Sequence, residues 1–355
     1  MISVTARNRI PHNGASQGAN FFPTAAGGIS RCAFERLESA GVAAGPLLSK
    51  AGLTLDEIRD PARRIRVSDQ IKFLNLAARA LKDEFLGFNL AMQLDFRELG
   101  LFYYVLASSA NLKEALERAT HYSEIVNEGV TQELHSRNHH RVLVRYSGVS
   151  RHLDRHQIEF WMAALVRICR KLSGHRIIPK HVRFVHVRHG DHTRFTRIFG
   201  DDVKFGASVD EIIFATDFEQ IPLIGADPYL NKLLVKYCEQ ALANRPGKIG
   251  SFQSHVENAI VPLLPHGKAE VGEIAHRLGV SRRTLARRLS GEGLSFSELL
   301  EDLKLHLAKR YLADGNLSIS QIAWLLGYQE IGAFSRAFKR WTGKTPRDTR
   351  SVMTA

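Results

Sequence analysis

The chain has 355 residues, 44% hydrophobic and 24% charged, enough for about two or three domains with real cores, and its formal net charge is +13. So basic a balance points to a polyanionic partner, nucleic acid or an anionic membrane surface. No stretch reads as a membrane span or a secretory signal, and Cys32, Cys169 and Cys238, far apart and odd in number, read as reduced, buried thiols of a cytosolic protein, not as a disulfide framework or a zinc site.

Residues 1–28 have no hydrophobic period and several breakers, among them Gly14, Gly18, Pro23, Gly27 and Gly28, so a flexible tail is expected. From residue 30 to about 129 the pattern is helical. Thr54 with Glu57 and Asn111 with Glu114 have capping-box spacing, and Ser68 opens a helix over 69–81. The helix after Asn111 puts Leu112, Ala115, Leu116, Ala119 and Tyr122 on one face. Near Thr131 the period changes, and 130–134 can pair with 142–146 as a hairpin across 136–140. A helix over 154–172, a strand over 181–187, a short helix over 193–199, strands at 203–205 and 212–214 and a helix over 228–243 follow. Helices flanking a small sheet predict a mixed α+β regulatory domain over 29–243. Residues 244–250, with Pro246, Lys248 and two glycines, are the expected linker, and 251–350 read as all helix.

Within that last region one pattern occurs twice. Ile274-Ala275 leads to Leu278-Gly279-Val280, and Ile322-Ala323 leads to Leu326-Gly327-Tyr328, each followed by another helix. The two glycines are 48 residues apart (327 − 279), with a long helix between them from Ser295, boxed by Glu298, to about Leu312. These are the residue types a helix-turn-helix needs. The small alanine lets two helices cross closely, the glycine supplies a left-handed turn, and Val280 or Tyr328 fills the angle.

In the first unit Leu285 and Leu289 fix the inner side of the second helix, so Arg283 and Arg287 lie opposite, with Arg282 in the first turn. In the second unit Phe334, Phe338 and Trp341 face inward, leaving Gly332, Arg336 and Lys339 outside. An arginine centred on a free face reaches both guanine acceptors of the major groove. Lys339, Arg340, Lys344 and Arg347, with Ser281, Arg288 and Ser335, are the candidates for phosphate contacts, which position without specifying.

Gly327-Tyr328, then Phe334-Ser335-Arg336-Ala337-Phe338-Lys339, then Gly343-Lys344-Thr345-Pro346 resemble the second-unit signature of the AraC/XylS family of transcription regulators. The resemblance covers about 250–350. It implies a seven-helix domain whose two recognition helices, joined by the long central helix, enter successive major grooves of promoter DNA. Carried over by position, base contacts fall on Arg282, Arg283, Ala286 and Arg287, and on Ile331, Gly332 and Arg336. Ala286, Ile331, Gly332 and Ala333 lack the polar side chain that many members have there, which places more of the direct readout on the first unit.

Residues 30–240 resemble the arabinose-binding-type regulatory domain of ornithine-utilisation and VirS-like regulators through Gly100-Leu101-Phe102, Val182-Arg183-Phe184, Phe199-Gly200, Ile213-Phe214 and Ile221-Pro222-Leu223, with Asp210 where such sequences often have Asn. That resemblance implies a small-molecule effector whose binding residues stay unknown, activation of transcription through RNA polymerase, and a possible homodimer. No cofactor and no membrane partner are expected.

Other chemistry reads weakly. His186, His189 and His192, with His181, have no Cys or carboxylate pair to complete a metal set and read as basic surface decoration. Ser150, Asp154, His156 and Glu159 lack a nucleophile elbow and read as a loop and first helical turns, so no catalytic residue is expected. The alternative to a regulator is a metal- or ligand-binding protein with a generic basic interaction domain, which would bind DNA without regard to sequence.

Overall fold

In the computed structural model the apolar side chains collect into two cores, one drawing on residues from Ala25 to Cys238, the other on residues from Val256 to Phe338. The structure describes residues 22–243 and 252–354, apart from 189, 191, 216, 217, 219, 315 and 316. The expected linker 244–250 and most of the expected tail therefore lie outside the described residues.

The first core is built by β1 (Thr24–Ala25), α1 (Gly28–Ser39), α2 (Gly45–Ala51), α3 (Leu55–Arg59), β2 (Ile65–Arg66), α4 (Val67–Ala80), α5 (Leu86–Gln93), α6 (Leu101–Ala107), α7 (Leu112–Val126), β3 (Val130–Ser136), β4 (His140–Tyr146), α8 (His156–Ser173), β5 (His181–Phe184), α9 (Thr193–Phe199), β6 (Val203–Phe205), β7 (Asp210–Phe214) and α10 (Pro228–Ala243). The five longer strands form one sheet in the order β3-β4-β7-β5-β6. All its pairs are antiparallel except β5 with β6, which α9 connects. Strand alternation buries Val142, Val144, Val182, Phe184, Ile212 and Phe214 in this core, against the helical layer that includes α8.

The mixed α+β expectation holds, with local differences that have physical causes. Residues 22–28 are not a loose tail. Thr24 N and Oγ1 both donate to the Glu128 carboxylate at 2.8 Å, Arg64 holds Thr24, and β1 pairs with β2. That pairing feeds straight into α4, which starts at Val67 behind Arg66, while the Ser68 hydroxyl bonds Asp69 instead of capping the helix. Thr54 and Glu57 form the complete capping box, whereas Asn111 caps α7 and Glu114 turns back to the N–H of Ala110. Asp154 stays outside α8 and accepts the N–H groups of Gln157 and Ile158, so the helix starts at His156.

The second core is all-helical: α11 (Phe252–Ile260), a 3-10 segment Val261–His266, α12 (Val271–Arg277), α13 (Arg282–Gly291), α14 (Phe296–Asp314), α15 (Ile319–Leu325), α16 (Ile331–Thr342) and α17 (Pro346–Thr354). Leu299, Leu303, Leu307 and Leu312 of α14 put this long helix into the core between the two helix pairs. No helix of the described residues is long and apolar enough to cross a membrane.

Candidate nucleic-acid interface

The repeated motif folds into two turns with the same hydrogen bonds. After α12, the N–H of Gly279 reaches His276 O and that of Val280 reaches Ala275 O, each at 3.0 Å. After α15, Gly327 reaches Trp324 O and Tyr328 reaches Ala323 O, each at 2.9 Å. Both glycines are left-handed, at φ 64° and 79°. This is a helix C-terminus closed by a six-to-one bond, and it needs a residue that tolerates positive φ.

The turns then differ by one residue. α13 starts three residues after its glycine, capped by Ser281, and α16 starts four after, behind Glu330, which makes no side-chain cap. Leu285 and Leu289 are fully buried in the first unit, and Phe334 and Phe338 in the second. The buried pairs are offset by 49 residues (334 − 285), so Arg287 and Arg336 occupy the same place relative to them.

Arg282, Arg283, Ala286, Arg287 and Arg288 are all exposed along α13, and Ile331, Gly332, Arg336, Lys339 and Arg340 along α16. Among the described residues Arg283, Arg287, Arg336 and Lys339 have no ion-pair partner, which leaves their charge for a ligand. A Cβ on Gly332 would stand 3.4 Å from Arg336 Nη1, so the glycine gives that arginine room. The Arg282 guanidinium lies over Gly272 of α12, where a Cβ would collide with it.

The phosphate candidates divide. Lys344 and Arg347 are exposed near the start of α17, and Ser335 is half-buried. Ser281 is engaged as the α13 cap, accepting the Thr284 N–H at 3.1 Å. Arg288 lies 5.2 Å from the Phe252 ring centroid, and Arg340 donates to Glu301 at 2.6 Å. Trp341 is only half-buried, because its indole N–H reaches the same Glu301.

Sequence reasoning missed the seam between the two cores. The loop after β4 meets α11 and α14 there. Arg151 N–H donates to Asn258 Oδ1 at 2.6 Å, Asn258 donates to Val149 O at 3.0 Å, Ser150 bonds Glu257, and Arg310 bonds His152 O. The guanidinium of Arg151 points the other way, gripping both carboxylate oxygens of Asp210 at 2.6 and 2.8 Å. Asp210, a departure in sequence, is thus the counter-ion of a buried arginine.

His186 is buried beside this pair and is not surface decoration. Its Nδ1 faces Arg151 Nη2 at 3.1 Å and its Nε2 faces Glu159 at 2.8 Å, where Arg188 also binds. Burial, then Arg151 and Arg188, hold it well below the ordinary histidine value, so the partners fit a neutral ring that donates from Nε2. His192 stacks on Phe205, and His189 lies outside the described residues. Ser150, Asp154, His156 and Glu159 serve four separate contacts: Ser150 meets Glu257, Asp154 caps α8, His156 meets the Gly87 N–H, and Glu159 meets Arg188.

With this geometry in place, the comparisons are specific. The family described as the arabinose-binding domain of AraC transcription regulators, N-terminal, matches residues 41–223, and a helix-turn-helix domain family matches 274–351. The HTH-type transcriptional regulator VirS of Mycobacterium tuberculosis is 33% identical over 193 residues, 54% of this chain and 56% of its own length. The ornithine utilization regulator of Pseudomonas aeruginosa is 27% identical over 316 residues, 88% of this chain and 92% of its own. The HTH-type transcriptional activator FapR of Escherichia coli is 30% identical over 117 residues, 32% of this chain and 45% of its own. The chain thus spans little more than half of VirS and nearly all of the ornithine regulator.

Proposed function

Since this chain belongs to the AraC-type transcription regulators with an arabinose-binding-type N-terminal domain, we propose that it binds promoter DNA sequence-specifically through residues 251–350 and senses a small molecule through residues 29–243. The observation that carries the DNA-binding reading is the pair of matched turns, each presenting an exposed arginine, Arg287 or Arg336, that has no ion-pair partner among the described residues and sits at the same place relative to its buried core pair. Arg283, Arg287 and Arg336 read bases, Arg282 extends the first reading face, and Ile331 suits a thymine methyl. Lys339, Lys344 and Arg347 hold phosphates.

The remaining roles follow from the family. The protein acts inside the cell as an activator, contacts RNA polymerase, and performs no catalysis. Coupling requires the effector to prefer one arrangement of the two domains over the other. The possible homodimer is not required for DNA recognition, because one chain already carries two recognition helices.

The test is selection of genomic fragments by the full-length protein near physiological salt, where non-specific phosphate binding has faded. A few enriched promoter fragments sharing a motif are expected. Alanine at Arg287 or at Arg336 is expected to relax one base position each, by roughly 10-fold or more, the worth of a bidentate contact at about 1–3 kcal/mol. Uniform retention, or variants with unchanged preference, would favour a generic basic domain.

A further inference from the structure

Among the described residues two clefts open along the seam between the regulatory and DNA-binding units, and their charges differ. One, of about 370 Å³, is lined by Arg145, Arg151 and Arg277, and each has a carboxylate partner: Glu133, Asp210 and Glu273. The other, of about 300 Å³, lies where the end of α4, the turn into α5 and the start of α8 meet the last turns of α14. Arg79, Lys82, Arg155 and Arg310 line it. Among the described residues Arg79, Lys82 and Arg310 have no ion-pair partner.

Arg310 is the most exacting of these. Among the described residues its hydrogen bond goes to the carbonyl of His152. Desolvation, then the nearby Arg155, press its affinity for a proton down to a value of about 10. Asp154 attracts it from beyond ion-pair distance, but its carboxylate is taken up by Tyr146 and by the N–H groups of Gln157 and Ile158, and a half-buried cation without an ion-pair partner is costly.

The acids at this cleft do not supply one. Both Asp83 carboxylate oxygens accept from Asn89, and one also accepts from the Phe85 N–H. Glu84 is an exposed side chain whose backbone carbonyl is held by Arg188. His156 is buried and held neutral by desolvation. One cavity inside the regulatory core, beside Phe102 and Trp161, holds about 30 Å³, room for a water or two. The seam cleft is at the lower end of small-molecule sites, about 300–1,000 Å³.

We propose that this seam cleft is the effector site, and that it takes a small molecule carrying two or more carboxylate or phosphate charges, held by Arg79 and Lys82 of the regulatory unit and Arg310 of the DNA-binding unit. The proposal rests on the regulator reading and names the effector class. An anion gripped from both sides binds only when the two units are apposed, so it selects that arrangement.

The test is calorimetric titration of the full-length protein with citrate, inorganic phosphate and pyrophosphate, near physiological salt. The variants are Arg310→Met, the surface double Arg79→Ser/Lys82→Ser, and Arg145→Ser/Arg277→Ser as a control in the other cleft. One-to-one saturable binding of at least one anion is expected, and whether citrate or a phosphate binds more tightly separates the two chemistries. The Kd should weaken at least tenfold in Arg310→Met and in the surface double, and stay within twofold in the control. The surface double keeps the test decisive if Arg310→Met loosens the seam.

No saturable binding of any of the three, or an unchanged Kd in the surface double, overturns the proposal. So does a surface double that loses affinity for DNA while no anion binds, since the cleft then belongs to the DNA footprint. The same preparations are tested for fragment selection, so failure of the anion site with a retained DNA motif leaves the regulator reading standing, and loss of the motif in the unaltered protein removes that reading separately.

Discussion

Gly279 and Gly327 hold the same backbone position in the two turns, but their surroundings differ. Around Gly279 a Cβ would meet nothing within 4 Å, whereas at Gly327 it would stand 2.5 Å from Leu264 O. Alanine at Gly279 therefore costs only the left-handed strain, about 1–2 kcal/mol. Alanine at Gly327 adds a backbone collision that no rotamer relieves, for a total of about 3 kcal/mol or more. Urea unfolding of the two variants checks the order, and equal midpoints would refute it. The buried histidines give a second expectation at this scale. Burial is the first cause that holds His152, His156 and His186 below the ordinary value of 6.5, His152 at about 3. The unfolded chain then binds more protons below pH 6.5, so stability is complete above that pH and falls as the pH drops toward 3. Each histidine contributes up to about 1.4 kcal/mol per pH unit, while Asp154, raised by burial, works in the opposite direction. The urea midpoint should fall clearly between pH 7.5 and pH 5, and a flat profile would show that these rings find protonated partners in the fold.

At the scale of elements, α5 and α8 meet through Gly87. A Cβ there would run into the His156 backbone, and backbone on both sides leaves nothing flexible to move. Gly87→Ala should force the helices apart at about 3 kcal/mol or more, lowering the thermal midpoint of this unit by roughly 6–12 °C, and a midpoint within two degrees of the parent would refute the contact. Elements such as α7, α10 and the β3–β4 hairpin were legible because their apolar spacing survives in the sequence. The faces of α13 and α16 were legible because Leu285/Leu289 and Phe334/Phe338 fix the helical register. β1 and β2 were not, since two-residue strands have no period and Thr24 depends on Glu128, 104 positions away. The pairing of Arg151 with Asp210 and of His186 with Glu159 was hidden for the same reason, because a charged residue reads as surface until its distant partner is placed. One signal was available for Arg310. It lies three residues after Leu307 and seven after Leu303, on the side of α14 that those leucines turn inward.

For the whole molecule, the loop after β4 joins the two cores. Its Arg151 peptide bonds Asn258 of the DNA-binding unit while the Arg151 side chain grips Asp210 of the regulatory sheet. Asn258 also donates to Val149 O and, at 3.4 Å, to Tyr146 O, so one side chain satisfies three backbone groups of that loop and of the strand end before it. Asn258→Ala leaves those groups without their partner, at roughly 1 kcal/mol each if water does not reach them. The loss falls on the contact between units, because all three bonds run from Asn258 of α11 to the end of β4 and the loop after it. Scanning calorimetry of the full chain should therefore change from one cooperative transition to two resolved ones, and the DNA motif selected should stay the same, since α13 and α16 are untouched. A single transition at the parent midpoint would mean that the seam transmits no stability. It would also mean that an effector could act on DNA affinity only through contacts it makes itself across the two units, and not through this loop.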